Sequence, residues 1–143
     1  MAFPFDFLVI DERSAPLLAV ETKALRGTDV AWAMELRRAI LSKSADLRCG
    51  LLVATPNRLY LWSGSEAGEV PPRSIEAQSA FAPYFQRVGI GQVGTVDPSV
   101  FADVVQWWLR DLASGVDRGA NGPELQSILE VVKGRRVVAE TAA

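Results

Sequence analysis

An α/β fold, of the mixed-sheet α+β kind, is what this sequence predicts: two β-hairpins with one helix crossing between them, and further helices toward the C-terminus. Three observations carry that reading. Residues 5–10 and 15–20 are apolar runs of strand length split by the polar turn Asp11-Glu12-Arg13-Ser14, the pattern of a hairpin. From Val30 to about Lys43, Trp32, Leu36, Ala39 and Ile40 fall on one stripe at helical spacing, as in a helix packed on a sheet. Residues 49–55 and 58–62 then make a second pair of short apolar runs joined by Pro56-Asn57. Pro fixes φ at the first central position of a type I turn and Asn tolerates the next.

The first hairpin carries the chemistry. If its turn is centred between Arg13 and Ser14, residues whose numbers sum to 27 face each other, so Asp6 lies opposite Glu21. Cross-strand partners share one face of a sheet. Side chains alternate along a strand, so Lys23 joins Glu21 on that face and Thr22 points away. Two carboxylates and one amine thus converge at the open end of the hairpin. Like charges opposite one another destabilise a sheet, and a divalent cation would compensate, because Mg²⁺ binds through one or two carboxylates plus water and substrate phosphate.

An Asp on one strand, a turn, and Glu21-Thr22-Lys23 closing an apolar strand resemble the PD-(D/E)XK, or restriction-endonuclease-like, nuclease superfamily. The helix and second hairpin that follow are similar in order to the amino-terminal nuclease domains of type I restriction enzymes, over residues 3–62. The resemblance implies a restriction-endonuclease-like core and a catalytic set of Asp6, Glu21 and Lys23. Mg²⁺ or Mn²⁺ would be held by Asp6, Glu21 and the Thr22 carbonyl, and the substrate would be a DNA phosphodiester, with RNA as the alternative. Phe5 stands where the family's name expects Pro. Only five residues precede Asp6, so the family's usual preceding helix is expected to be absent or supplied from elsewhere.

Composition bounds the alternatives. The chain has 143 residues, 49% hydrophobic and 22% charged, which fits one globular domain, read as residues 1–134 with a loose tail at 135–143. No apolar run approaches a membrane span and no leader opens the chain, so the expected location is the cytoplasm, away from membranes. One cysteine and no histidine exclude an internal disulfide framework, a Cys/His zinc site and any His-based triad or dyad. A net charge of −2 and a pI near 5.2 argue against broad nucleic-acid binding through a basic surface. Such binding would have to be local, and Arg26, Arg37, Arg38 and Lys43 make residues 26–48 the most basic part of the chain. They are the candidate phosphate contacts. The competing reading is a helix's solvated face.

Thr28 is read as the N-cap of the helix, with Asp29 suiting the positive end of its dipole. Cys49 reads as a small core residue. Residues 63–73 hold two Gly, two Ser and adjacent Pro71-Pro72, and are read as a loop ending the sheet region. A helix is expected over 74–85, with Pro83 disturbing its last turn. Gly89, Gly91 and Gly94 reproduce a GxGxxG string, discounted because no helix begins at its glycines. Asp97-Pro98 is a strong helix start, and the helix over 99–114 buries Phe101, Val104, Val105, Trp108, Leu109 and Leu112. Trp107 then points partly elsewhere, so the Trp107-Trp108 pair is a candidate anchor for a partner protein or a second copy. Residues 117–122 read as a link, and Pro123 opens a last helix to about Lys133, with Gly134 ending it.

Two functional readings follow. One is a divalent-metal-dependent nuclease. The other is a catalytically weak or inactive domain of the same fold acting as a binding or assembly module. Against both stands an ordinary hairpin end in which Lys23 neutralises Asp6 and Glu21, and this requires the two carboxylates to lie too far apart to share a cation.

Overall fold

In the computed structural model, which describes residues 5–44, 47–64, 68–90, 95–116 and 122–139, the first hairpin consists of β1 (Phe7–Ile10) and β2 (Pro16–Thr22). The two strands pair antiparallel in the expected register, Phe7 with Val20, Leu8 with Ala19 and Val9 with Leu18. A shift between Val9 and Ile10 brings Ile10 opposite Pro16. Inside the turn, one oxygen of Asp11 accepts the backbone N–H groups of Arg13 and Ala15 at 2.8 and 2.9 Å. Ser14 takes a left-handed φ of 65°, a conformation that costs most residues energy and that the Asp11 bonds hold in place.

Helix α1 (Val30–Lys43) links β2 to β3 (Gly50–Ala54), and β2 and β3 are parallel, with Glu21 beside Val53 and Thr22 beside Ala54. The N-cap is Asp29, one residue later than expected, and its carboxylate accepts the Trp32 N–H at 2.9 Å. The hydroxyl of Thr28 is instead engaged with the Tyr60 phenol at 2.9 Å. β4 (Arg58–Trp62) returns antiparallel to β3, pairing Val53 with Tyr60.

Two short strands extend the sheet beyond its expected edges. β5 (Arg73–Glu76) pairs with β4, and β6 (Arg136–Ala139) pairs with β1. The expected loop over 63–73 and helix over 74–85 are therefore corrected: the sheet continues through Glu76, and α2 begins at Gln78 and runs to Arg87 with Pro83 inside it. The expected tail at 135–143 is corrected likewise, because residues 136–139 form an edge strand. The finished sheet is mixed, in the order β5-β4-β3-β2-β1-β6.

α3 (Pro98–Ala113) starts where Asp97 and Pro98 indicate, with Asp97 accepting from the Ser99 N–H at 2.8 Å. A 3-10 turn at Pro123–Leu125 leads into α4 (Gln126–Val132). Of the GxGxxG string, Gly91 and Gly94 lie outside the described residues, as do most of the link at 117–122 and residues 140–143.

Alternation divides the core into two layers. Phe7, Val9, Leu18, Val20, Leu52, Leu59, Ile75 and Val137 project to one face, where they meet Phe81, Phe101, Val105, Trp108, Leu109 and Ile128 of α2, α3 and α4. Leu8, Ile10, Ala19, Leu51, Val53, Tyr60 and Trp62 project to the other, where they meet Ala33 and Ile40 of α1. All five residues of β3 are buried, as a strand covered by helices on both sides should be. Trp108 is 1% exposed and edge-on to Phe81 at 5.2 Å. Trp107 is half-buried beneath the Arg87 guanidinium, 5.3 Å from its ring centre. The tryptophan pair therefore packs within this chain, one ring inside and the other covered by a cation.

Candidate metal centre

The open end of the first hairpin lies where β1 begins and β2 ends. The backbone N–H of Asp6 donates to the Val20 carbonyl at 3.1 Å, which keeps Asp6 alongside the last turns of β2. Its side chain folds back across the strand end. One oxygen, Oδ2, accepts both the Thr22 backbone N–H and the Thr22 hydroxyl, each at 2.8 Å. Thr22 lies on the opposite face of β2 from Glu21, as alternation expects, and the Asp6 carboxylate meets its hydroxyl around the strand end.

Asp6 and Glu21 meet through a side-chain hydrogen bond. The Glu21 carboxyl is pushed up to about 8, chiefly by burial, then by its hydrogen bond with Asp6 and by the negative charge of Asp6. Lys23 and the Thr22 backbone N–H pull it back only in part. Desolvation and a like charge both disfavour the ionised carboxylate. Glu21 is therefore the group whose neutral form the fold favours.

Lys23 continues the parallel pairing, its N–H donating to the Ala54 carbonyl at 2.9 Å, and its ammonium is close enough for its charge to act on Glu21. The three expected catalytic residues are thus gathered at one end of one strand pair. Among the described residues no third Cys, Asp or Glu joins the two carboxylates to make a larger ligand group. Such a donor set, two oxygen ligands in a partly buried place with a proton that a cation can displace, fits Mg²⁺ or Mn²⁺, which complete their shells with water and substrate oxygens.

The expected phosphate contacts do not gather in the same way. Arg37 is only 8% exposed. Its guanidinium lies over the Trp62 ring at 5.4 Å and donates to the Gly68 carbonyl at 2.6 Å. Arg38 pairs with Glu69 at 2.8 Å. Both arginines tie the segment after β4 onto α1, helped by the Trp62 indole N–H, which donates to the Val70 carbonyl at 2.8 Å. Lys43 is the last residue of a 14-residue helix, so it lies about 20 Å along the axis from the end nearest Asp6 and Glu21. Arg26, half-buried in the connection between β2 and α1, is the member of the set at the carboxylate end of the sheet.

Tyr60 was not singled out from the sequence. The pairings Glu21 with Val53 and Val53 with Tyr60 set it in the same cross-sheet row as Glu21. Through Thr28 its hydroxyl anchors the connection that carries Lys23 and Arg26. The turn at Pro56-Asn57 contained the signal, since centring the second hairpin there pairs residues 53 and 60.

Comparison with protein-family models, with curated proteins and with solved structures finds no match to this chain.

Proposed function

We propose that this protein is a divalent-metal-dependent nuclease of the restriction-endonuclease-like kind, hydrolysing DNA phosphodiester bonds with Asp6, Glu21 and Lys23. The observation that carries the reading is the carboxyl pair at the hairpin's open end, where Asp6 acts on Glu21 as hydrogen-bond partner and like charge and the charge of Lys23 acts on it as well. An arrangement that packs like charges and holds a carboxylic acid at neutral pH is unfavourable as structure and useful as a site.

Asp6 and Glu21, with the Thr22 carbonyl, would hold Mg²⁺ or Mn²⁺. When bound, such an ion supplies a more acidic water and neutralises charge on the phosphate. Within the chain, Glu21 would serve as a ligand in its carboxylate form, its proton passing to solvent. Lys23 orients the attacking water and offsets charge developing on the phosphoryl oxygens. Asp6 would act from the position in which the Thr22 N–H and hydroxyl hold it.

A second reading, a catalytically weak domain of this fold acting as a binding or assembly module, is favoured by one observation. Arg37 and Arg38 are engaged within the chain and Lys43 is at the far end of α1, leaving Arg26 alone of the four expected phosphate contacts at that end of the sheet. Cleavage of plasmid and single-stranded DNA in Mg²⁺ or Mn²⁺ separates the two. The nuclease reading expects cleavage by the wild type, and none by Lys23→Ala although that variant still binds metal. Metal binding by the wild type with no cleavage of either substrate would favour the module.

A further inference from the structure

We propose that the Thr22 side chain is a positioning residue of this site, its hydroxyl locking the Asp6 carboxylate in the orientation that faces Glu21. The inference rests on the metal-site reading above and deepens it. It assigns to Thr22 a role distinct from that of its carbonyl.

Asp6 lies just before β1, where the ladder no longer restrains it on both sides. An aspartate there has two side-chain torsions to fix, and the second is broad and roughly two-fold. One hydrogen bond would leave the carboxylate free to pivot about the bonded oxygen. Two donors from the same residue, the N–H and the hydroxyl of Thr22, converge on Oδ2 at 2.8 Å each, and two directions define the carboxylate plane. With Oδ2 held toward Thr22, the carboxyl group stays against Glu21, where the two groups share their hydrogen bond. The hydroxyl is itself well fixed, because a β-branched side chain on a strand has few χ1 rotamers. Partners that orient a ligand without touching the metal typically change affinity by about 10- to 100-fold when removed.

The pair Thr22→Val and Thr22→Ser tests the assignment. Val keeps the branched shape and the backbone N–H and removes only the hydroxyl, while Ser restores the hydroxyl. Thermal melts confirm that both fold. Calorimetric titration with Mn²⁺ is expected to show affinity about tenfold weaker in Thr22→Val and within about threefold of the wild type in Thr22→Ser. Equal affinity in Thr22→Val and the wild type would overturn the role, as would an equal loss in both variants. If the wild type itself binds no Mn²⁺, the metal-site reading fails. The positioning role is then judged from metal-free crystal structures. Asp6 is expected in one conformer in the wild type and Thr22→Ser, and rotated or in several conformers in Thr22→Val. A single unchanged conformer in Thr22→Val would overturn it.

Discussion

Two charged clusters sit on the α1 side of this molecule, and they use charge in opposite ways. At the hairpin end, Asp6 and Glu21 are placed together against their mutual repulsion, with Lys23 compensating in part. On α1, Arg37 and Arg38 each find an acceptor within the chain, a carbonyl at Gly68 and a carboxylate at Glu69. The second arrangement is what stability alone would select. The first is the costlier arrangement, because burial and a like charge both disfavour an ionised Glu21, whereas the arginines form a clasp.

The largest effect expected from this contrast is at Arg37. Arg37→Ala removes a half-buried hydrogen bond and a cation–π contact with Trp62, and takes away a buried side chain from under the segment after β4. It should cost about 2–4 kcal/mol of stability in urea unfolding, with Mn²⁺ affinity unchanged. A loss of metal binding in a still-folded Arg37→Ala protein would erase the distinction between clasp and site.

The next effect is on pH dependence. Glu21 titrates near 4.5 when unfolded and near 8 in the fold, so between those values the folded state binds more protons than the unfolded state. The stabilisation from this group is therefore full below about pH 4.5 and is lost as pH rises through about 8. Because the group keeps part of its surface in solvent, the change is about 1–2 kcal/mol rather than the full conversion. Glu21→Gln keeps an amide donor for Asp6 at every pH. It should flatten this dependence and exceed the wild type by a similar 1–2 kcal/mol at pH 8 without metal. Urea unfolding at pH 5, 7 and 8.5 checks both, and a wild type that gains stability toward pH 8.5 would contradict the assignment.

The smallest effect belongs to Arg38. Its ion pair with Glu69 has both side chains more than half exposed, at 56% and 60%, so Arg38→Ala should leave the urea unfolding midpoint essentially unchanged. A larger change would show that the clasp depends on the surface pair as well as on buried Arg37.

How much of this was legible in the sequence depended on how local each signal was. The first hairpin's register follows from one turn and two apolar runs, and that register alone puts Asp6, Glu21 and Lys23 at the same end of the strand pair. The start of α3 was equally local, set by Asp97-Pro98. β5 and β6 were not legible. Each has four residues and one buried side chain, Ile75 and Val137, and a single buried apolar residue fits a helix, a strand or a tail equally well. The role of Arg37 depends on a carbonyl 31 residues away, which no helical pattern encodes. The Thr22 hydroxyl escaped because strict alternation places it on the opposite face, whereas Asp6, lying beyond the last paired residue of β1, reaches around the strand end to meet it.

The most direct test of the central claim is calorimetric titration of the wild type and Glu21→Gln with Mn²⁺ at pH 7, in two buffers of different ionisation enthalpy. One site is expected in the wild type, with release of about one proton as Glu21 becomes a carboxylate ligand, and no binding is expected in Glu21→Gln. Absence of binding by the wild type, or equal binding by the variant, would contradict the claim.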